Sequence, residues 1–189
     1  MGYVKARALT GKQDQGLMSD YRSDDSPALK EASKKAGFYV KTTLLLSSWF
    51  GVGRSPIAPG TFGTLAAVPP AMIIYYFGTV PSVISLVVII PLAVWTSNVS
   101  KNILGKDDPS EVVIDEVAGF FVAVFLLPFS WSSFTFGFLL FRVFDILKPF
   151  PIGMIDKKVK GGVGIVLDDI VAGVYANICV RAVQAIFGL

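Results

Sequence analysis

The chain has 189 residues, 53% of them hydrophobic and 16% charged, with a net charge of +3, one cysteine and no histidine. That length supports one main domain, and so few scattered cations exclude a nucleic-acid surface, so no nucleic-acid partner is expected. Lacking histidine, the chain lacks the commonest base and zinc ligand, so its chemistry must run on carboxylates.

Residues 1–37 mix Lys, Asp, Ser and Gly without apolar periodicity and read as a flexible polar tail, with a short amphipathic helix near Pro27 to Lys35 and no cleavable signal peptide. Phe38 to Phe50 is a short apolar run ended by the turn-rich stretch from Gly51 to Gly60. Thr61 to Phe77 and Ser82 to Asn98 form a helical hairpin kinked by prolines. The charged segment from Ser100 to Ser110 is a solvated loop. Glu111 to Leu127 and Trp131 to Leu147 are two further helices, divided at Pro128 and each about 26 Å long. A polar loop from Lys148 to Gly164 precedes a last helix from Asp168 to Phe187, whose Cys179 reads as a small packed hydrophobe.

No charge falls between Arg54 and Lys101 or between Glu116 and Arg142. Helices without a charged face must be buried in protein or lipid. The expected fold is therefore an all-α integral-membrane bundle of about five to six helices, some short or kinked, over residues 38–189. Counting spans brings Arg54, Asp115, Glu116, Arg142, Asp145 and Asp168 to one membrane face, together with Lys101, Lys106, Lys148, Lys157, Lys158 and Lys160. The positive-inside rule makes that face cytoplasmic.

Three charged groups border the apolar helices, where ionised side chains are costly and usually functional. They are Asp115-Glu116, the Arg142, Asp145 and Lys148 series, and Asp168-Asp169. Arg142 and Asp145, three apart, share a helical face and could form an internal ion pair. Asp168-Asp169 at a helix start could equally be explained by the helix dipole. Five carboxylates on one face, however, need cations to hold them together. Magnesium takes oxygen ligands and shares them with substrate phosphate, so the set points to a metal site of Asp115, Glu116, Asp145, Asp168 and Asp169, acting on a phosphomonoester. Arg142 and Lys148 would offset charge on the phosphate. The stretch from Ser55 to Thr64 opens a helix whose free N–H groups could bind an anion, making Gly60, Thr61 and Thr64, with Arg54 just upstream, phosphate-binding candidates; the same glycines could merely cap and pack the helix.

Four stretches in order carry a family resemblance: Gly51 to Thr64, Val113 to Gly119, Phe141 to Ile152 and Gly161 to Gly173. Over Ser48 to Val180, about 70% of the chain, the sequence resembles the phosphatidylglycerophosphatase A family. The resemblance implies a helical, magnesium-dependent enzyme of the bacterial inner membrane. It would remove the terminal phosphate of phosphatidylglycerophosphate, its lipid partner, at the cytoplasmic face to leave phosphatidylglycerol. It also implies that the five motif acids are metal ligands or water-activating groups, with Asp156 of lower rank. Attack by a carboxylate, rather than by water, stays open. The alternative from another class is a small cation-coupled transporter or channel, which would want acids deep in the bundle and repeated halves.

Overall fold

The structure is a computed structural model that describes residues 27–187, with side chains from Gly37 onward. Most of the expected polar tail, residues 1–26, lies outside the described residues. The chain divides into two units, residues 1–41 and 42–189. The described part of the first is helical.

The described residues form seven α-helices and no strand: α1 Pro27–Ser47, α2 Pro59–Tyr76, α3 Thr79–Leu104, α4 Ile114–Ala123, α5 Trp131–Leu147, α6 Ile152–Lys158 and α7 Gly161–Phe187, with a 3-10 turn at Val52–Arg54. The all-helical expectation holds, but the helix count exceeds the five to six expected. The segments near Pro27 and from Phe38, read separately, are one helix. The segment after Lys148, read as a loop, contains α6, which begins directly after Pro151. Polar composition concealed it because a seven-residue helix is shorter than the roughly 11–18 residues over which apolar periodicity can be recognised.

Two boundaries shift in ways that matter for the site. α3 runs through Leu104 and stops at Gly105, which adopts a left-handed conformation at φ 66° and so suits glycine. Lys101 is therefore helical rather than part of a loop. α7 starts at Gly161, seven residues before Asp168, so the Asp168-Asp169 pair lies two turns inside it.

The expected helix from Glu111 to Leu127 is instead the ten-residue α4, only about 15 Å long. The chain leaves the helix at Val124 ahead of Pro128, freeing carbonyls that the helix would have used. α7 satisfies them. Asn177 Nδ2 donates to the carbonyls of Val122, Ala123 and Phe125, and Arg181 Nη2 donates to those of Phe125 and Leu126. Backbone polar groups buried without partners are expensive, so this clasp lets a short helix end inside the bundle.

α4 is the centre of the core. Ile114, Val117, Ala118, Phe120 and Ala123 are fully buried, and Phe121 is nearly so. It meets α7 at glycines, because a Cβ on Gly173 would collide with the Gly119 carbonyl and one on Gly119 would lie 2.7 Å from the Asp169 carbonyl. The backbones thus touch where Asp115-Glu116 and Asp168-Asp169 must face each other. Gly63 of α2 is similarly pressed on Val113.

Much of the outer surface is apolar. On α3, Val83, Ile84, Val87, Val88 and Trp95 are exposed, as are Ile73 and Tyr76 on α2, Leu139 and Val143 on α5, and Ile178 on α7. α3 and α7 are long and apolar enough to cross a membrane by length and composition.

The glycine crossing can be tested by thermal unfolding. Gly173→Ala is expected to lower the midpoint at a cost of about 1–3 kcal/mol from overpacking. Gly37→Ala, whose methyl group would meet nothing within 4 Å, should be neutral or gain about 0.5–1 kcal/mol. Equal stability of the two variants would contradict the close approach of α4 and α7.

Candidate active site

The first turn of α4 supplies Asp115 and Glu116, the last two turns of α5 supply Arg142 and Asp145, and α7 supplies Asp168 and Asp169. Lys148 caps α5 in a left-handed conformation at φ 43°. All five predicted acids line one cavity of about 420 Å³, which also receives Gly60, Lys148 and Asp156.

One carboxylate oxygen from each of Asp115, Glu116 and Asp169 can lie within 4.8 Å of the others. Asp115, Asp168 and Asp169 are 7%, 5% and 4% exposed, so this negative charge is largely removed from water. The Glu116 backbone N–H donates to Asp115 Oδ1, while Glu116 Oε2 and Asp168 Oδ1 are buried without a hydrogen-bond partner. Unpaired buried carboxylate oxygens are costly unless a cation or ligand completes them. The oxygen donors suit a hard divalent cation such as magnesium, and Asp115, Glu116 and Asp169 could hold it.

Two cations of α5 restrain the acids. Arg142 forms an ion pair with Asp145 and stands 3.9 Å from Glu116 Oε1. The internal ion pair considered from sequence is therefore present, but the same guanidinium also reaches α4. Lys148 Nζ lies 2.8 Å from Asp156 Oδ1 and 2.7 Å from Asp168 Oδ2, joining α5, α6 and α7. Partial burial works against its charge, yet hydrogen bonds from Asp156 and Asp168 outweigh it and hold the ammonium above the ordinary lysine range.

The helix-dipole explanation of Asp168-Asp169 fails because the dipole acts over the first turn and these residues lie beyond it. The predicted phosphate-binding residues divide. Gly60 and Lys148 line the cavity, whereas Arg54, Thr61, Thr64 and Arg142 do not. Arg54 is exposed on the 3-10 turn. The Thr64 hydroxyl donates to the Gly60 carbonyl, 2.8 Å away, and is spent inside the helix. Gly60 has a packing role as well, since a Cβ there would collide with Glu116 Oε1.

Sequence reading passed over the cavity's outer wall. Lys101, Asp107, Asp108, Lys157 and Lys160 all line it. Asp156, ranked low, shares Lys148 with Asp168. The available signal was their place in charged segments on the face already assigned to the acids.

The family model described as phosphatidylglycerophosphatase A matches residues 45–184. A protein of Escherichia coli K12 named phosphatidylglycerophosphatase A is 42% identical over 135 residues, covering 69% of this chain and 76% of its own. One of the same name from Haemophilus influenzae is 37% identical over 142 residues, 74% of this chain and 87% of its own. A Bacteroides thetaiotaomicron protein with the provisional name phosphatidylinositol-3-phosphatase is 35% identical over 153 residues, 77% of this chain and 95% of its own. No solved structure matches the chain significantly.

Calorimetric titration with magnesium tests the carboxylate cluster. Asp169→Asn and Gly60→Ala, the latter by displacing Glu116, should each weaken binding about 10–100-fold; undiminished binding in both would move the metal elsewhere. The raised Lys148 value predicts that its stabilisation is complete below the ordinary lysine range, about 10.4, and is lost only as pH climbs through the higher folded-state value. The difference in unfolding midpoint between wild type and Lys148→Met should therefore stay constant from pH 7 to about 10; a difference that vanishes near neutrality would contradict the pairing.

Proposed function

Because the chain belongs to the phosphatidylglycerophosphatase A family and is a lipid phosphatase, we propose that it hydrolyses the terminal phosphomonoester of phosphatidylglycerophosphate to leave phosphatidylglycerol. In this reading magnesium is required, α3 and α7 cross the bacterial inner membrane, and the carboxylate cavity opens toward the cytoplasm. The observation that carries it is the convergence of the family's motif acids on one cavity, with oxygens of Asp115, Glu116 and Asp169 close enough to share a cation.

When bound by those three residues, magnesium supplies positive charge against the phosphoryl oxygens. The protein's own groups then have separate tasks. Lys148 fixes Asp168 through Oδ2 and leaves Oδ1 without a partner in the cavity wall. That oxygen is the proposed acceptor for the proton of the attacking water. Water adds to phosphorus as its proton passes to Asp168, the bond from phosphorus to the glycerol oxygen breaks, and that departing oxygen takes the proton from Asp168, leaving inorganic phosphate and the free alcohol. Arg142 holds Glu116 and Asp145 in register, and Lys148 places a second positive charge in the cavity. The apolar helices around the cluster limit water and strengthen these interactions.

The membrane reading rests on the exposed apolar faces of α2, α3, α5 and α7. Its orientation rests on Lys101, Lys157 and Lys160, which line the same cavity as the acids. Acids gathered beside these lysines, together with the family assignment, favour a phosphatase over the transporter alternative.

Phosphate release from phosphatidylglycerophosphate in detergent micelles tests the proposal. Wild type should require magnesium and stop after chelation, and Asp168→Asn should lower kcat by about 10²–10⁴-fold, the range for a positioned proton acceptor, with magnesium binding retained. Magnesium-independent release, or full activity of the variant, would overturn the mechanism. Release from phosphatidylinositol 3-phosphate but not from phosphatidylglycerophosphate would transfer the substrate assignment to the lipid named for the Bacteroides relative.

A further inference from the structure

Beside the carboxylate cavity lies a second concavity of about 350 Å³, lined by Lys148, Phe150, Gly153, Met154, Lys157 and Lys158. Lys148 and Lys157 belong to both walls, so the two spaces adjoin along these side chains. Lys148 is already engaged by Asp156 and Asp168. Lys157 forms no ion pair or hydrogen bond through its ammonium among the described residues. Beyond it the groove turns apolar, with Phe150 78% and Met154 40% exposed.

We propose that Lys157 binds the phosphodiester of the lipid substrate, one glycerol unit away from the monoester being cleaved, and that the Phe150–Met154 groove receives the adjoining diacylglycerol. This rests on the lipid phosphatase reading above. The substrate presents two anions in series followed by acyl chains. The protein presents the same order: a carboxylate site for the metal and monoester, an uncommitted cation, and then an exposed apolar trough. A free ammonium at the junction gains from the diester without losing an existing ion pair. Lys158 lines the trough without reaching the carboxylate cavity, Lys160 lines the carboxylate cavity without reaching the trough, and Lys101 is occupied by Asp107, so none of the three occupies the same junction. The subsite would favour a lipid whose headgroup links a monoester to a diester over one carrying a monoester alone.

The test uses phosphatidylglycerophosphate in micelles, with phosphatidylglycerol as a product inhibitor that keeps the diester and lacks the monoester. Lys157→Ala should raise KM about tenfold and weaken inhibition by phosphatidylglycerol by a similar factor, the size of one charge-assisted contact. Its kcat and its inhibition by inorganic phosphate should stay unchanged. Lys106→Ala, which removes an exposed lysine paired with Glu111 and lining neither space, should alter none of these. Unchanged KM and product inhibition in Lys157→Ala, an equal change in Lys106→Ala, or a fall in kcat with inhibition intact would each overturn the subsite. Absence of phosphate release by the wild-type enzyme would overturn the substrate assignment itself, an outcome distinct from all three.

Discussion

Concentrating negative charge at one end of an apolar helical bundle is the constraint on which the rest of this structure depends. Asp115, Asp168 and Asp169 are almost completely withdrawn from water, with Glu116 and Asp145 beside them. Desolvation and mutual repulsion both oppose such an arrangement. The protein meets them with two cations from one helix, Arg142 reaching Glu116 and Asp145, and Lys148 reaching Asp156 and Asp168. Two cations against six carboxylates leave an excess of negative charge, and the unpaired oxygens of Glu116 and Asp168 sit within that excess. Under the proposed function, that same imbalance is what would draw a divalent cation and, through it, a phosphate.

Backbone proximity turns that charge into a site. Acids on α4 and α7 can share a cation only if the two helices nearly touch, and Gly119 and Gly173 permit this. Small residues at a helix crossing let the backbones approach closely and gain van der Waals packing. Gly60 applies the same device at the cavity wall, where it leaves room for the Glu116 carboxylate. The glycines of these motifs thus act as spacers between helices. At the other end of α4, Asn177 and Arg181 take over the carbonyls that a longer helix would have satisfied, so that helix can be short.

How far the molecule was legible from its residues differs by element. α5 was readable to its boundaries because Ser130 caps one end, with its hydroxyl accepting from the Ser133 N–H, and Lys148 terminates the other. α4 was overestimated because Val117 to Leu127 is uncharged and apolar throughout, and apolar composition cannot tell a helix from a buried turn whose carbonyls are served by another chain segment. α6 was missed for the opposite reason, its seven residues being fewer than the roughly 11–18 over which a helical apolar period can be recognised. Thr64 looked like a phosphate ligand by position, yet its hydroxyl turns back on the Gly60 carbonyl, a local choice that composition does not reveal.

The sequence by itself determined the all-helical class and singled out the five acids, because charge-free stretches and acids bordering them are properties of composition and order, and its four ordered motif stretches carried the family resemblance. Tertiary structure alone decided which carboxylate oxygens lie within 4.8 Å of one another, which basic side chain holds which acid, and that Lys157 borders both the carboxylate cavity and the adjoining groove. Those facts depend on helix crossing and rotation, which are set by contacts between residues far apart in the chain. A linear pattern records the face a residue occupies on its own helix but not the partner that face will meet.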